Sequence, residues 1–75
     1  MNVDKELDAR GLSCPLPILK TKKSLSDMLS GQVLKVLASD KGAPRDMQAF
    51  ANQTGLVLLS SEEAAGEYIF LFQKK

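Results

Sequence analysis

The sequence predicts a two-layer α+β sandwich of order βαβαββ, a four-stranded mixed sheet with two helices on one face. Three observations predict it. Two stretches carry apolar residues at helical spacing, and each is followed by a glycine, Gly31 or Gly55. Four shorter runs have strand length and either alternate or are continuously apolar. The helical stretches separate the first three runs, whereas a turn alone separates the third from the fourth. With 75 residues and no linker or repeat, residues 1–75 are read as one domain, near the lower size at which an apolar core suffices.

Val3, Leu7 and Ala9 alternate with charged residues and suggest a first strand, which Gly11 breaks. From Pro15 the period changes, and Ile18, Thr21, Leu25, Met28 and Leu29 share one helical stripe that Gly31 closes as a C-cap. Residues 32–39, with Val33, Leu34, Val36 and Leu37, form an apolar run suited to a central strand. After the turn Asp40-Lys41-Gly42, Pro44 suits the first position of a second helix, with Asp46 in its first turn. Ala43, Met47, Phe50, Ala51 and Thr54 make its apolar stripe, and Gly55 ends it. Residues 56–60 read as the third strand and residues 62–66 as a turn longer than a tight hairpin. Tyr68, Phe70 and Phe72 share one face of the fourth strand and belong to the core, which leaves Ile69 and Leu71 for the other face.

Composition narrows the function. Net charge is +1 and no basic stripe is interleaved with exposed rings, so direct nucleic-acid binding is not expected. No stretch spans a bilayer and the first six residues have no apolar h-region, which points to the cytoplasm and away from membranes. The chain has one cysteine and no histidine. An internal disulfide is impossible, a structural zinc site is close to excluded, and no metal is expected. The expected state is a monomer, although a large apolar patch on the open sheet face would suggest a partner or a dimer.

The one cysteine, Cys14, lies in Gly11-Leu12-Ser13-Cys14-Pro15-Leu16-Pro17, directly before the first helix. A residue before proline is pushed toward extended geometry, which suits an N-cap, with Pro15 as the first helical residue. Leu16 also precedes a proline, which allows an irregular first turn with regular helix only from Pro17 or Ile18. A helix end contributes about 0.3–1 kcal/mol to an anion, and Arg10 adds to this if its loop folds back. That is a modestly activated thiol. Without a general base it does not fit a cysteine hydrolase, which needs a Cys–His pair, but it fits a thiol that receives an already activated sulfur. Most free cysteines are small buried hydrophobes. Polar Ser13 and two prolines argue that this one is exposed.

The run Leu7-Asp8-Ala9-Arg10-Gly11-Leu12-Ser13-Cys14-Pro15-Leu16-Pro17 resembles the signature of the TusA/SirA family of small sulfur-carrier proteins. The resemblance extends through a lysine-bearing first helix, Gly31 before a Val/Leu strand, Asp40, Arg45-Asp46 and Gly55, and so covers essentially the whole chain. It implies that Cys14 carries a persulfide, loaded by a cysteine desulfurase or a rhodanese-type sulfur donor and passed to a downstream relay acceptor. It implies no bound cofactor. Family branches end in tRNA 2-thiouridine synthesis, molybdenum-cofactor assembly or sulfur oxidation. Some members carry a second cysteine where this chain reads Phe50-Ala51, and many read Gly-His where it has Gly55-Leu56. The first departure removes any resolving thiol from the chain, and together they leave the branch open.

Arg10, Gly11, Leu12, Pro15, Leu16, Pro17 and Lys20 are the residues expected to support Cys14 or contact a partner. Lys20, Lys22 and Lys23 either form a basic rim for an acidic partner or are the solvated face of the helix, and the second reading carries more weight. Leu16 either meets a partner or packs on its own loop. Lys41, Arg45 and Asp46 read as capping and ion-pair residues. Two other functions compete with the carrier: a regulatory or protein-interaction module in which Cys14 is structural, and a one-cysteine peroxidase, which the missing base disfavours.

Overall fold

A computed structural model describes residues 3–13 and 15–75. Among them the order is β1 (Lys5–Ala9), α1 (Leu16–Ser26), β2 (Val33–Ala38), α2 (Ala43–Thr54), β3 (Val57–Ala64) and β4 (Glu67–Gln73). The strands form one mixed sheet in the spatial order β1-β2-β4-β3. β1 runs parallel to β2, while β4 is antiparallel to both β2 and β3. Each helix connects parallel strands, and both crossovers move along the sheet in the same direction. Right-handed crossovers of that kind put both helices on one face, as the βαβαββ pattern predicts.

Cross-strand register explains the core. Leu7, Val36 and Phe70 lie in one row, and Leu34, Phe72 and Leu58 lie in another. Leu34, Val36, Phe70 and Phe72 are fully buried against Thr21 and Leu25 of α1 and Ala43, Met47, Phe50 and Ala51 of α2. The Phe50 ring meets Phe72 edge-on, with centroids 6.1 Å apart, a favoured aromatic geometry. Tyr68 packs on the rim of this cluster. The aromatic trio therefore faces inward, while Ile69 and Leu71 lie half-buried on the open face, paired with Leu37 and Lys35.

Several boundaries differ from the sequence expectation. Val3 precedes β1 and is exposed. The sheet is extended there by Asp4, whose amide donates to the Val33 carbonyl and whose carboxylate accepts from the Val33 amide. Helix α1 stops at Ser26 with Asp27 as C-cap, more than a turn before Gly31. Met28 still reaches the core, but Leu29 is 70% exposed and Gly31 belongs to the turn before β2, where its amide donates to the Lys74 carbonyl. Lys74 explains the early stop. Its ammonium donates to the carbonyls of Leu25 and Met28 at 2.7 Å each, and Lys5 donates to that of Ser24. Cations at a helix C-terminus satisfy orphan carbonyls and oppose the dipole.

Helix α2 begins with Ala43, so Pro44 takes the second helical position, where it still lacks an intrahelical partner. Thr54 is exposed rather than part of the buried stripe, and its hydroxyl donates to the Phe50 carbonyl. Lys41, Arg45 and Asp46 form no ion pair among the described residues. The largest difference is at β3, which continues to Ala64 and pairs with β4 through a two-residue turn, Ala65-Gly66. Both turn residues have positive φ, +53° and +79°, the geometry that matches the twist of a tight hairpin.

Candidate functional site

The site is built where β1 delivers the chain to α1. Ala9 is fully buried at the end of β1, and Gly11 then turns the chain with φ +82°, a conformation that suits glycine. The Gly11 amide donates to the Ser39 hydroxyl at 2.8 Å, which ties the loop to the end of β2. Leu12 is half-buried and packs on the core. Beyond it, the Leu16 amide donates to the Ser13 carbonyl at 2.9 Å and the Leu19 amide to the Pro15 carbonyl at 3.1 Å. Pro15 is the N-cap and Leu16 the first helical residue, one step after the start expected at Pro15 and ahead of the later start at Pro17 or Ile18.

Cys14, the leading candidate, lies outside the described residues. Its described neighbours Ser13 and Pro15 are both exposed. Leu16 and Leu19, one turn apart on α1, are 43% and 55% exposed. They give the start of the helix an apolar step that nothing among the described residues covers. Lys20 and Lys23 continue this side of α1 and are exposed, as is Lys22. Pro17 is different. It is buried, and its carbonyl accepts from the buried Thr21 hydroxyl at 2.7 Å. Leu12 and Pro17 therefore support the loop by packing, while Pro15, Leu16 and Lys20 form its accessible surface.

Arg10 does not fold back over the loop as a free charge. Its Nε and Nη2 donate to the two carboxylate oxygens of Asp8, both at 2.9 Å, and Nη1 donates to Glu67 at 3.2 Å. The Arg10 amide also donates to Asp8, at 3.1 Å. The side-chain hydrogen bonds from Arg10 hold the Asp8 carboxyl down at about 2, and the same bonds push the guanidinium further up. Glu67 opens β4, so this network crosses the end of β2 and joins the β1 exit to the β3–β4 hairpin. Sequence reading had no signal for Glu67 or Ser39, because their approach depends on strand order. Leu19 could have been found, since it lies three residues beyond Leu16.

Among the described residues, no group of three or more His, Cys, Asp and Glu side chains could hold a metal ion. No helix among them is long and apolar enough to cross a membrane. A groove of about 330 Å³ lies between the C-terminal halves of α1 and α2, lined by Leu25, Phe50, Leu56, Lys22 and Lys74 among others. It is remote from the loop before α1, and Lys74 already serves there as a cap.

Residues 5–74 match the family model described as Sulfurtransferase TusA. The chain belongs to the TusA family. Similarity to its members extends over almost the full length. The chain is 56% identical over 71 residues to a sulfur carrier protein TusA of Allochromatium vinosum, covering 95% of this chain and 93% of that protein. It is 40% identical over 72 residues to a sulfur carrier protein TusA of Pseudomonas entomophila, with 96% and 90% covered. The fold matches the crystal structure of a SirA-like protein from Desulfitobacterium hafniense with a TM-score of 0.76 at 26% identity, covering 92% and 95% of the two chains. The TusA assignment and the βαβαββ architecture thus agree with the expectation drawn from the Cys-Pro-x-Pro run.

Proposed function

We propose that this chain is a sulfur carrier whose working atom is Cys14 Sγ. One observation carries the reading: the TusA match runs through residues 5–74, and the chain's single cysteine stands inside it in Cys14-Pro15-Leu16-Pro17. Loading is a thiol–persulfide exchange. The Cys14 thiolate attacks the terminal sulfur of a donor persulfide, forming a new S–S bond as the donor's S–S bond breaks. The donor cysteine leaves as a thiolate, and the terminal sulfur, with its proton, remains on Cys14. No net oxidation occurs and no base beyond the thiolate is required. Discharge repeats the exchange, with an acceptor attacking the terminal sulfur on Cys14.

The donor is a cysteine desulfurase or a rhodanese-type sulfurtransferase, and the acceptor is a further relay protein. The sulfur is destined for tRNA 2-thiouridine, molybdenum-cofactor assembly or sulfur oxidation. The exposed pair Leu16 and Leu19 supports docking at the start of α1, where a partner would exclude water from the exchange. Lys20 and Lys23 favour a partner with acidic groups around an apolar centre.

The test is to incubate the protein with a desulfurase and L-cysteine, block it with iodoacetamide and map the modified peptides by tandem mass spectrometry. The expected product is an alkylated persulfide on Cys14, formed more slowly in Leu16→Glu. Plain alkylated thiol after exposure to several desulfurases and rhodanese-type donors would contradict the proposal. The chain would then be an interaction module in which Cys14 is structural.

A further inference from the structure

We infer that Arg10 and Glu67 are positioning residues for sulfur transfer, and that the β3–β4 hairpin holds the loop from which Cys14 follows. The inference rests on the carrier reading above. The described anchors of this loop include Leu12 on Ala9, Gly11 on Ser39, Ser13 on the Leu16 amide, and Arg10 on Asp8 and Glu67. Of these, Arg10 makes the only side-chain link from the loop to β4 among the described residues. Its far end is firm, because Glu67 is the first residue of β4 and pairs with Ala64 across the two-residue turn.

Charge separates positioning from electrostatic activation. One guanidinium faces two carboxylates, so the cluster carries a net negative charge and cannot draw a sulfur anion toward it. What it can do is restrict where the loop lies. Its members are about half exposed, so it adds little to global stability. It still biases the loop toward the arrangement in which an attacking sulfur meets its target, and exchange between two proteins is sensitive to such alignment. A small energy confined to the loop therefore shows in the transfer rate before it shows in unfolding.

The experiment compares the full chain with Arg10→Gln, Glu67→Gln and the double variant. Three quantities are read: the single-turnover rate of loading from a desulfurase persulfide, the pH profile of iodoacetamide alkylation at Cys14, and the urea midpoint. Each single variant is expected to load about fivefold more slowly, the scale of one exposed ion-pair network. The double variant should be no slower than Arg10→Gln, because both changes break one link. Alkylation profile and urea midpoint should stay at their wild-type values. Unchanged loading in Arg10→Gln overturns the inference, as does a loss matched by a shifted alkylation profile or by a lowered urea midpoint. Losses that multiply in the double variant overturn the link between the two residues. A wild type that takes no sulfur removes the carrier reading itself, and this inference with it.

Discussion

At the scale of single residues, Arg10 shows how a position in a motif can be recognised while its work is misread. Asp8 and Arg10 are two apart in β1 and the turn after it, and sequence alone allows the guanidinium to reach back over the loop. In the fold it closes on Asp8 and Glu67. The consequence is a titration. The Asp8 carboxyl should titrate at about 2 rather than its ordinary 3.8, and in Arg10→Gln it should return toward 3.8, as followed by carbon-detected NMR of the side-chain carboxyl. Because the folded value is depressed, the stabilisation it represents is complete above 3.8 and fades as the pH falls toward about 2. On so exposed a pair that contribution is small, so losing Arg10 is read in the Asp8 titration and not in the neutral-pH urea midpoint. A midpoint near 3.8 in the wild type would show that the clamp does not form in solution. For Leu16 the sequence left two options, a partner contact or packing on its own loop, and the fold leaves it exposed. Pro17 and Leu12 were not legible as packing residues, because local sequence does not say which side of a loop meets the core.

At the scale of elements, periodicity gave the helices and strands their type and order, but not every end. The stripe Thr21, Leu25 and Met28 is real, yet the helix stops before Met28 because Lys74, 46 residues away, takes the carbonyls of Leu25 and Met28. That contact is invisible in a local window. Likewise Glu62 and Glu63 fall in the stretch read as a turn, although they sit in an edge strand paired with Ile69 and Tyr68, where water meets one side. The true turn uses Ala65 at φ +53°, a left-handed conformation that alanine adopts at a cost and asparagine tolerates far better. Ala65→Asn creates the Asn-Gly pair favoured in such hairpins. It should raise stability by about 0.5–1 kcal/mol, read as a higher urea midpoint with an unchanged slope. A lower midpoint would contradict the turn assignment.

At the scale of the whole molecule, the fold supports one end of itself. Two right-handed crossovers place α1 and α2 over the aromatic row of β4, and the small buried residues Ala9 and Ala38 pair where β1 leaves the sheet for the loop before α1. That loop is then fixed from β2 by Ser39 and from β4 by Glu67. The chain has no second thiol and no histidine, and its described residues hold no metal-ligand cluster, so the proposed carrier chemistry is assigned to Cys14. The most direct measurement is the intact mass of the chain, without reductant, through one loading and discharge cycle. The protein is incubated with a cysteine desulfurase and L-cysteine, separated from the donor, and then treated with dithiothreitol. The account predicts a gain of one sulfur atom that survives separation, is removed by dithiothreitol and does not occur in Cys14→Ala. An equal gain in Cys14→Ala, or an unchanged wild-type mass, would contradict it.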